Sequence, residues 1–325
     1  MKSRNIIIDT SIVMQKKVRG YFGILCVLQL LISVNVHGQQ YPQFTQYTYN
    51  MNIVNPAYAG VKNTLSINLL GRTQWTGVEG APKTGTLGIH SPLGARRFFG
   101  IGFSGIYNEI GPLKETHLYG DLSYKVNVSK EGILSFGLKF GISTQNVNQS
   151  LLRFNNTDNS FVNLANNIYP NLGFGVYFKE EDFYVSLSMP NVLSTNFFET
   201  LNATNVITET SRNSTLYFGA GYVFKISEKL KFKPAFMVRY SSIIPTALDI
   251  SNTAFIEDKF EIGVSYRLKE SIGCIAAIHV NDHLRVGYSY DFSVGNVLNN
   301  NGSHEIMLLY DIDLKDKLRR LPRYY

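Results

Sequence analysis

Ser303-His304-Glu305-Ile306-Met307-Leu308-Leu309-Tyr310, near the end of the chain, decides how the rest is read. It has the length and composition of a β-strand, with long apolar side chains and no helix stop. In a barrel, this strand closes the sheet by pairing with the first strand, near Thr64–Trp75. A closed sheet has no unpaired edge, so it is the only sheet that can sit in a bilayer. The residues between the two segments therefore matter first.

From Thr64 onward the period is two. Leu134, Phe136, Leu138, Phe140 and Ile142 alternate with Ser135, Gly137, Lys139, Gly141 and Ser143. Leu172, Phe174, Val176 and Phe178 alternate with Gly173, Gly175, Tyr177 and Lys179. Leu284, Val286, Tyr288 and Tyr290 alternate with Arg285, Gly287, Ser289 and Asp291. Successive strand side chains point to opposite faces, so each run has one apolar face and one small or polar face. Lys, Arg and Asp on the second face suit a wet lumen, and they suit the solvent face of a sandwich equally well.

About fourteen such runs follow one another, an even number as bacterial single-chain barrels require. They lie near residues 64–75, 83–91, 98–109, 114–126, 132–146, 169–179, 183–189, 214–225, 231–240, 246–255, 259–267, 271–280, 283–291 and 303–312. Many reach the ~9–11 residues that a tilted strand needs to cross hydrocarbon, whereas strands of soluble sheets usually run to ~5–6. The longest connections, Val147–Ile168, Asn191–Asn213 and Phe292–Gly302, all fall on one side of such a sheet. The other side has short turns: Asn127–Glu131, Glu180–Asp182, Ile226–Lys229, Ile256–Asp258 and Asn281–Asp282. Outer-membrane barrels have short periplasmic turns and longer outer loops. The expectation is an all-β fold, a transmembrane antiparallel β-barrel of about fourteen strands, with the long loops outside.

Composition agrees. Only 17% of the 325 residues are charged, while Tyr (20), Phe (21) and Gly (27) are numerous. Low charge, aromatic girdles and small lumen residues belong together in membrane barrels. The net charge of +7 comes from scattered Lys and Arg and a basic C-terminus, without a stripe that suggests nucleic acid.

The remaining segments divide the chain. Lys16, Lys17 and Arg19 precede an apolar run at Tyr21–Val34, and Val36-His37-Gly38 offers a cleavage site. These are the parts of a secretory signal peptide over residues 1–38, with Met14 a candidate true start. Residues 39–62 are polar and aromatic and end in Asn55-Pro56-Ala57-Tyr58-Ala59-Gly60, which reads as an irregular N-terminal segment, either periplasmic under the mouth of the barrel or a plug of its lumen. Residues 63–312 form the barrel, and 313–325 a basic periplasmic tail.

No chemical motif survives its context. Gly100-Ile101-Gly102-Phe103-Ser104-Gly105 matches a dinucleotide fingerprint in letters but lies within an alternating strand. His279 and His283 flank a turn without an evident third ligand, so no metal is expected. Ser303 and His304 are adjacent in one strand and point to opposite faces, which does not build a nucleophile. Cys274 is the one cysteine beyond the leader and reads as a small strand residue. No catalytic residue and no cofactor is expected. The candidate partner contacts are Trp75, Glu79 and Lys83 in and beside the first outer loop, and Lys317, Arg319, Arg320 and Arg323 in the tail.

Several stretches together resemble a known family, the PorP/SprF-type outer-membrane proteins of the type IX secretion system in Bacteroidota. They are Gln43-Phe44-Thr45-Gln46-Tyr47 with Asn55–Gly60, then Gly80-Ala81-Pro82-Lys83-Thr84 and Ile110-Gly111-Pro112-Leu113-Lys114-Glu115-Thr116. Further on come Leu134–Lys139, Met189-Pro190-Asn191, Leu230–Pro234, Leu284–Asp291 and Gly302–Met307. The resemblance covers most of the chain beyond the leader. It implies a non-enzymatic barrel in the outer membrane that supports secretion or surface attachment of particular cargo, including gliding adhesins. It also implies three contacts: the secreted cargo protein or its C-terminal domain, periplasmic secretion components anchored to peptidoglycan, and the lipid bilayer. The family brings no catalytic residues. Two other functions compete: a transport barrel for hydrophobic or other small molecules, and an outer-membrane hydrolase.

Overall fold

In a computed structural model, the described residues are 43–94, 97–148, 167–193, 195–201, 207–212, 214–242, 245–294 and 300–314. The strands form where the period-two runs lie. The first seven are β1 (Thr64–Thr73), β2 (Lys83–Leu93), β3 (Phe99–Ile110), β4 (Leu113–Asn127), β5 (Ile133–Val147), β6 (Asn167–Lys179) and β7 (Phe183–Met189). A hairpin follows, β8 (Thr195–Leu201) with β9 (Ile207–Arg212). The chain continues through β10 (Thr215–Tyr222), β11 (Phe224–Lys225), β12 (Leu230–Ser241), β13 (Ala247–Ile256), β14 (Phe260–Arg267), β15 (Ser271–His279), β16 (Leu284–Ser293) and β17 (Ser303–Asp313).

Both β10 and β11 pair with β12 and are separated only by Val223, so they act as one interrupted strand. Counted so, the barrel has fourteen strands, all antiparallel, each paired with its sequence neighbour within the sheet. β17 pairs with β1 from Thr64↔Asp313 to Thr73↔His304, and this ladder closes the circle. The anticipated partner of the opening segment is therefore the observed one. One expectation changes. Asn191–Asn213 is not simply a loop, because it contains the β8–β9 hairpin, whose two strands pair only with each other among the described residues. The hairpin's runs are short, and its register shifts between Asn196 and Glu199, so no sustained alternation marks it.

The faces are the reverse of those in a soluble protein. On β5, Lys139 has no exposed surface, while its neighbours Leu138 and Phe140 are 57% and 49% exposed. Asp121, Ser135, Ser289 and Glu305 are likewise fully buried, while Leu122, Phe136, Tyr288 and Ile306 face out. Apolar side chains outside and charges inside suit hydrocarbon as the surrounding solvent, and a sandwich in water is thereby excluded. Among the described residues no helix is long and apolar enough to cross a membrane; the strands do the crossing.

Candidate functional site

The buried polar faces need partners, since a buried charge without one costs several kcal/mol. Much of that partner set comes from the segment before β1. Phe44–Val61 is buried throughout and contains two short 3-10 turns, Tyr47–Tyr49 and Pro56–Tyr58, around a single helical turn, α1 (Met51–Val54). Its bonds reach inward positions around most of the circumference, so it lies inside the lumen. The sequence offered two places for it, the periplasmic mouth and a plug within the lumen, and the structure has the plug.

The segment is held in order along its length. Glu305 of β17 accepts from the Thr45 and Gln46 backbone N–H groups at 3.0 and 2.8 Å. Arg72 of β1 sits beside it, with Nη1 3.1 Å from Glu305 and Nη2 2.7 Å from Asp291 of β16. The Thr45 hydroxyl donates to Asp291 at 2.6 Å. Next, the Tyr49 hydroxyl donates to Glu261 of β14, which Arg285 of β16 and His279 of β15 also approach, at 3.1 and 2.9 Å. Lys233 of β12 lies 4.9 Å from the Tyr49 ring centroid. Burial, above all, raises the phenols of Tyr47 and Tyr49 well above their ordinary range.

On the other side, Lys139 Nζ pairs with Asp121 at 2.6 Å and donates to the Asn52 carbonyl at 3.3 Å. The Asn55 amide donates to Ser186 on β7 at 2.8 Å, and Ser188 donates to the Val54 carbonyl at 2.8 Å. The Ser123 hydroxyl donates to the Ala59 carbonyl at 2.6 Å, and Lys125 to that of Gly60. Irregular backbone can be buried only if its N–H and C=O groups find such partners.

The small residues of the alternating pattern now have a specific use. A Cβ at Gly137 would fall on the backbone of Pro56 and Ala57, and one at Gly175 on the Asn55 side chain. Glycine at these positions seats the segment against the wall. The segment leaves the lumen at Gly60, whose φ of +66° favours glycine and where a Cβ would lie 2.8 Å from the Ser91 carbonyl oxygen. Gly100 and Gly102, the letters of the apparent nucleotide fingerprint, lie on β3 beside Ala59. They seat backbone and do not open a helix.

The first outer loop forms a collar with its neighbours. Thr76 exchanges backbone bonds with Gly302 and Asn301, each 2.8 Å, and the Gly111 N–H donates to the Gly80 carbonyl at 2.9 Å. Trp75 is half-buried, with φ 43° and its N–H 3.2 Å from the Ser303 hydroxyl. Glu79 is exposed at the tip, and Lys83 is exposed at the start of β2. The structure thus gathers Trp75, Glu79 and Lys83 at the long-loop end. Lys317, Arg319, Arg320 and Arg323, like the leader, lie outside the described residues. Sequence reasoning missed the lumen residues Glu305, Arg72, Asp291, Glu261 and Lys139 as a functional set. Their signal was a charged residue set among the small and polar residues on one face of a strand.

The other chemical readings also have places. Ser303 faces inward to Trp75, whereas the ring of His304 faces out, 2.7 Å from the Tyr288 hydroxyl. His279 bonds Glu261, and His283 bonds the Asp311 carbonyl at 2.9 Å. Among the described residues no group of three or more His, Cys, Asp or Glu side chains is arranged to hold a metal.

Comparison with known proteins gives a family. The family described as "Type IX secretion system membrane protein PorP/SprF" matches residues 36–310. No curated protein matches the chain. Among solved structures, the CymD monoaromatic hydrocarbon channel has a TM-score of 0.50 at 10% identity, covering 86% of this chain and 95% of its own. The outer membrane protein Omp33 of Acinetobacter baumannii has a TM-score of 0.45 at 9% identity, covering 77% and 99%. The toluene transporter TodX of Pseudomonas putida has 0.46 at 10% identity, covering 81% and 93%. Identities this low concern the fold alone.

Proposed function

The chain belongs to the PorP/SprF family of type IX secretion system membrane proteins, and on that premise we propose that it is a non-enzymatic docking barrel for secreted cargo. In this reading it is exported by its signal peptide and sits in the outer membrane. It supports secretion or surface attachment of specific cargo proteins, gliding adhesins among them. The observation that carries the reading is the occupied lumen. Phe44–Val61 is bonded to inward residues of strands on opposite sides of the barrel, so the surfaces left for partners are the two ends and the outer wall. The collar with Trp75, Glu79 and Lys83 is the cargo-facing surface. The basic tail with Lys317, Arg319, Arg320 and Arg323 contacts periplasmic machinery anchored to peptidoglycan.

The competing transport reading finds less support. The inward face carries Arg72, Asp121, Lys139, Glu261 and Glu305, chemistry that a hydrophobic solute would have to desolvate. The test is a strain lacking this gene and its paralogues, complemented with the intact gene. Loss of surface display for a subset of type IX cargo, together with co-purification of that cargo with the barrel, is expected. Unchanged secretion and attachment of every cargo refutes the proposal.

A further inference from the structure

The outer wall carries a groove directly below the collar, and Lys83 stands at the boundary between the two. It has a volume of about 540 Å³ and lies across β17, β1, β2, β3 and β4. Its floor is made by missing side chains. Gly71 and Gly85 face each other across the β1–β2 ladder, and a Cβ at either would meet nothing within 4 Å. Internal packing therefore does not require glycine at these two positions, in contrast to Gly137 and Gly175. A glycine inside a strand is destabilising by roughly 0.5–1 kcal/mol relative to Ala, so two facing ones on an outer wall call for an occupant.

Register defines the groove and what stands above it. In the row of Gly71 and Gly85, Ile306 and Tyr107 form the two banks. One row deeper into the membrane, Leu69 and Leu87 are apolar and Gly105 again leaves space. One row toward the long-loop end the chemistry changes. There Lys83 pairs in register with Glu109, and Glu109 with Lys114. Lys114 is 3.8 Å from Glu109, and Glu109 also accepts from the Tyr107 hydroxyl at 2.8 Å. Lys83, exposed and sharing the outward face of β2 with Gly85, stands directly above the groove floor. The row holds two lysines against one carboxylate, a net positive rim above an apolar trough.

We propose that this groove binds one acyl chain of a phosphorylated lipid of the outer leaflet, with Lys83 on its phosphate. Long loops mark the cell exterior in outer-membrane barrels, so the rim lies at the headgroup level of the outer leaflet. A glycine floor between the Ile306 side chain and the Tyr107 ring accepts a saturated chain, and the cationic rim selects an anionic headgroup over a neutral one.

The test uses the full-length barrel in nanodiscs of neutral phosphatidylcholine, titrated with monophosphoryl lipid A and with its dephosphorylated form. Native mass spectrometry reads the bound lipid, and heat-modifiable gel mobility confirms the fold. One retained phosphorylated lipid per barrel is expected, with the dephosphorylated form binding more weakly. Gly71→Leu and Gly85→Leu fill the groove from positions where an added Cβ meets nothing within 4 Å, and should abolish retention. Lys83→Ala should weaken binding about fivefold, the share of one lysine at an anionic headgroup. Ile262→Ala on the far wall should change nothing. Equal retention by the leucine variants, or equal binding with and without the phosphate, overturns the proposal.

Discussion

Replacing Glu305 by alanine should release the lumen segment while leaving the barrel closed. Glu305 is fully buried and receives the Thr45 and Gln46 N–H groups at 3.0 and 2.8 Å, together with Arg72 at 3.1 Å. Arg72 keeps its second partner, Asp291, at 2.7 Å, so the change does not orphan the guanidinium. The loss therefore falls on two buried backbone donors, each left unsatisfied at about 1–3 kcal/mol. A combined loss of about 3 kcal/mol corresponds to roughly a hundredfold shift between the docked and released segment. The β1–β17 ladder is made of backbone bonds and does not depend on this carboxylate. Planar-bilayer recordings should show open events far more often in Glu305→Ala than in the unaltered barrel. Limited proteolysis should cut the variant between residues 43 and 61 under conditions that spare the unaltered chain. Equal conductance and equal protease resistance in two barrels of unchanged gel mobility would refute the claim that this carboxylate anchors the segment.

Gly137→Leu should act in the same direction, because its side chain would collide with the Pro56–Ala57 backbone; overpacking of this kind costs about 1–3 kcal/mol or more, and proteolysis of the segment reads it. Tyr47 and Tyr49 have raised phenol pKa values, so the neutral forms favour docking at and below about pH 10, their unperturbed value, and that contribution is lost as pH climbs through the folded values. The double variant Tyr47→Phe, Tyr49→Phe should accordingly leave tyrosinate absorbance of the folded barrel at pH 11 unchanged, and a drop worth two tyrosines would contradict their burial. Truncation before Asp316 should leave barrel assembly intact by gel mobility and remove binding of periplasmic partners in pull-downs; loss of assembly itself would reverse that division of roles.

The strands were legible because a two-residue period is a local property. Leu134–Ser143 and Leu284–Asp291 announce their faces without any tertiary information, and the strand positions, the even count and the uneven loop lengths all followed. The β8–β9 hairpin was not legible, since two short runs with a shifted register leave no sustained alternation. The collar residues Trp75 and Glu79 stood out through the Gly and Pro around them. The lumen set did not, because each member looks alone like an ordinary polar residue on a solvent face.

By itself, then, the sequence determined the strands, their order and the existence of two chemically distinct faces. Tertiary structure decided between the open alternatives, turning the polar face inward and seating Phe44–Val61 within it, and decided which residues bond that segment. The reason is distance along the chain: Thr45 meets Glu305 across 260 residues and Tyr49 meets Glu261 across 212. No local pattern encodes such pairs. They exist because closure at β1 and β17 encloses a ring of charges, and the polar, aromatic segment before β1 brings the hydrogen-bonding groups that satisfy them.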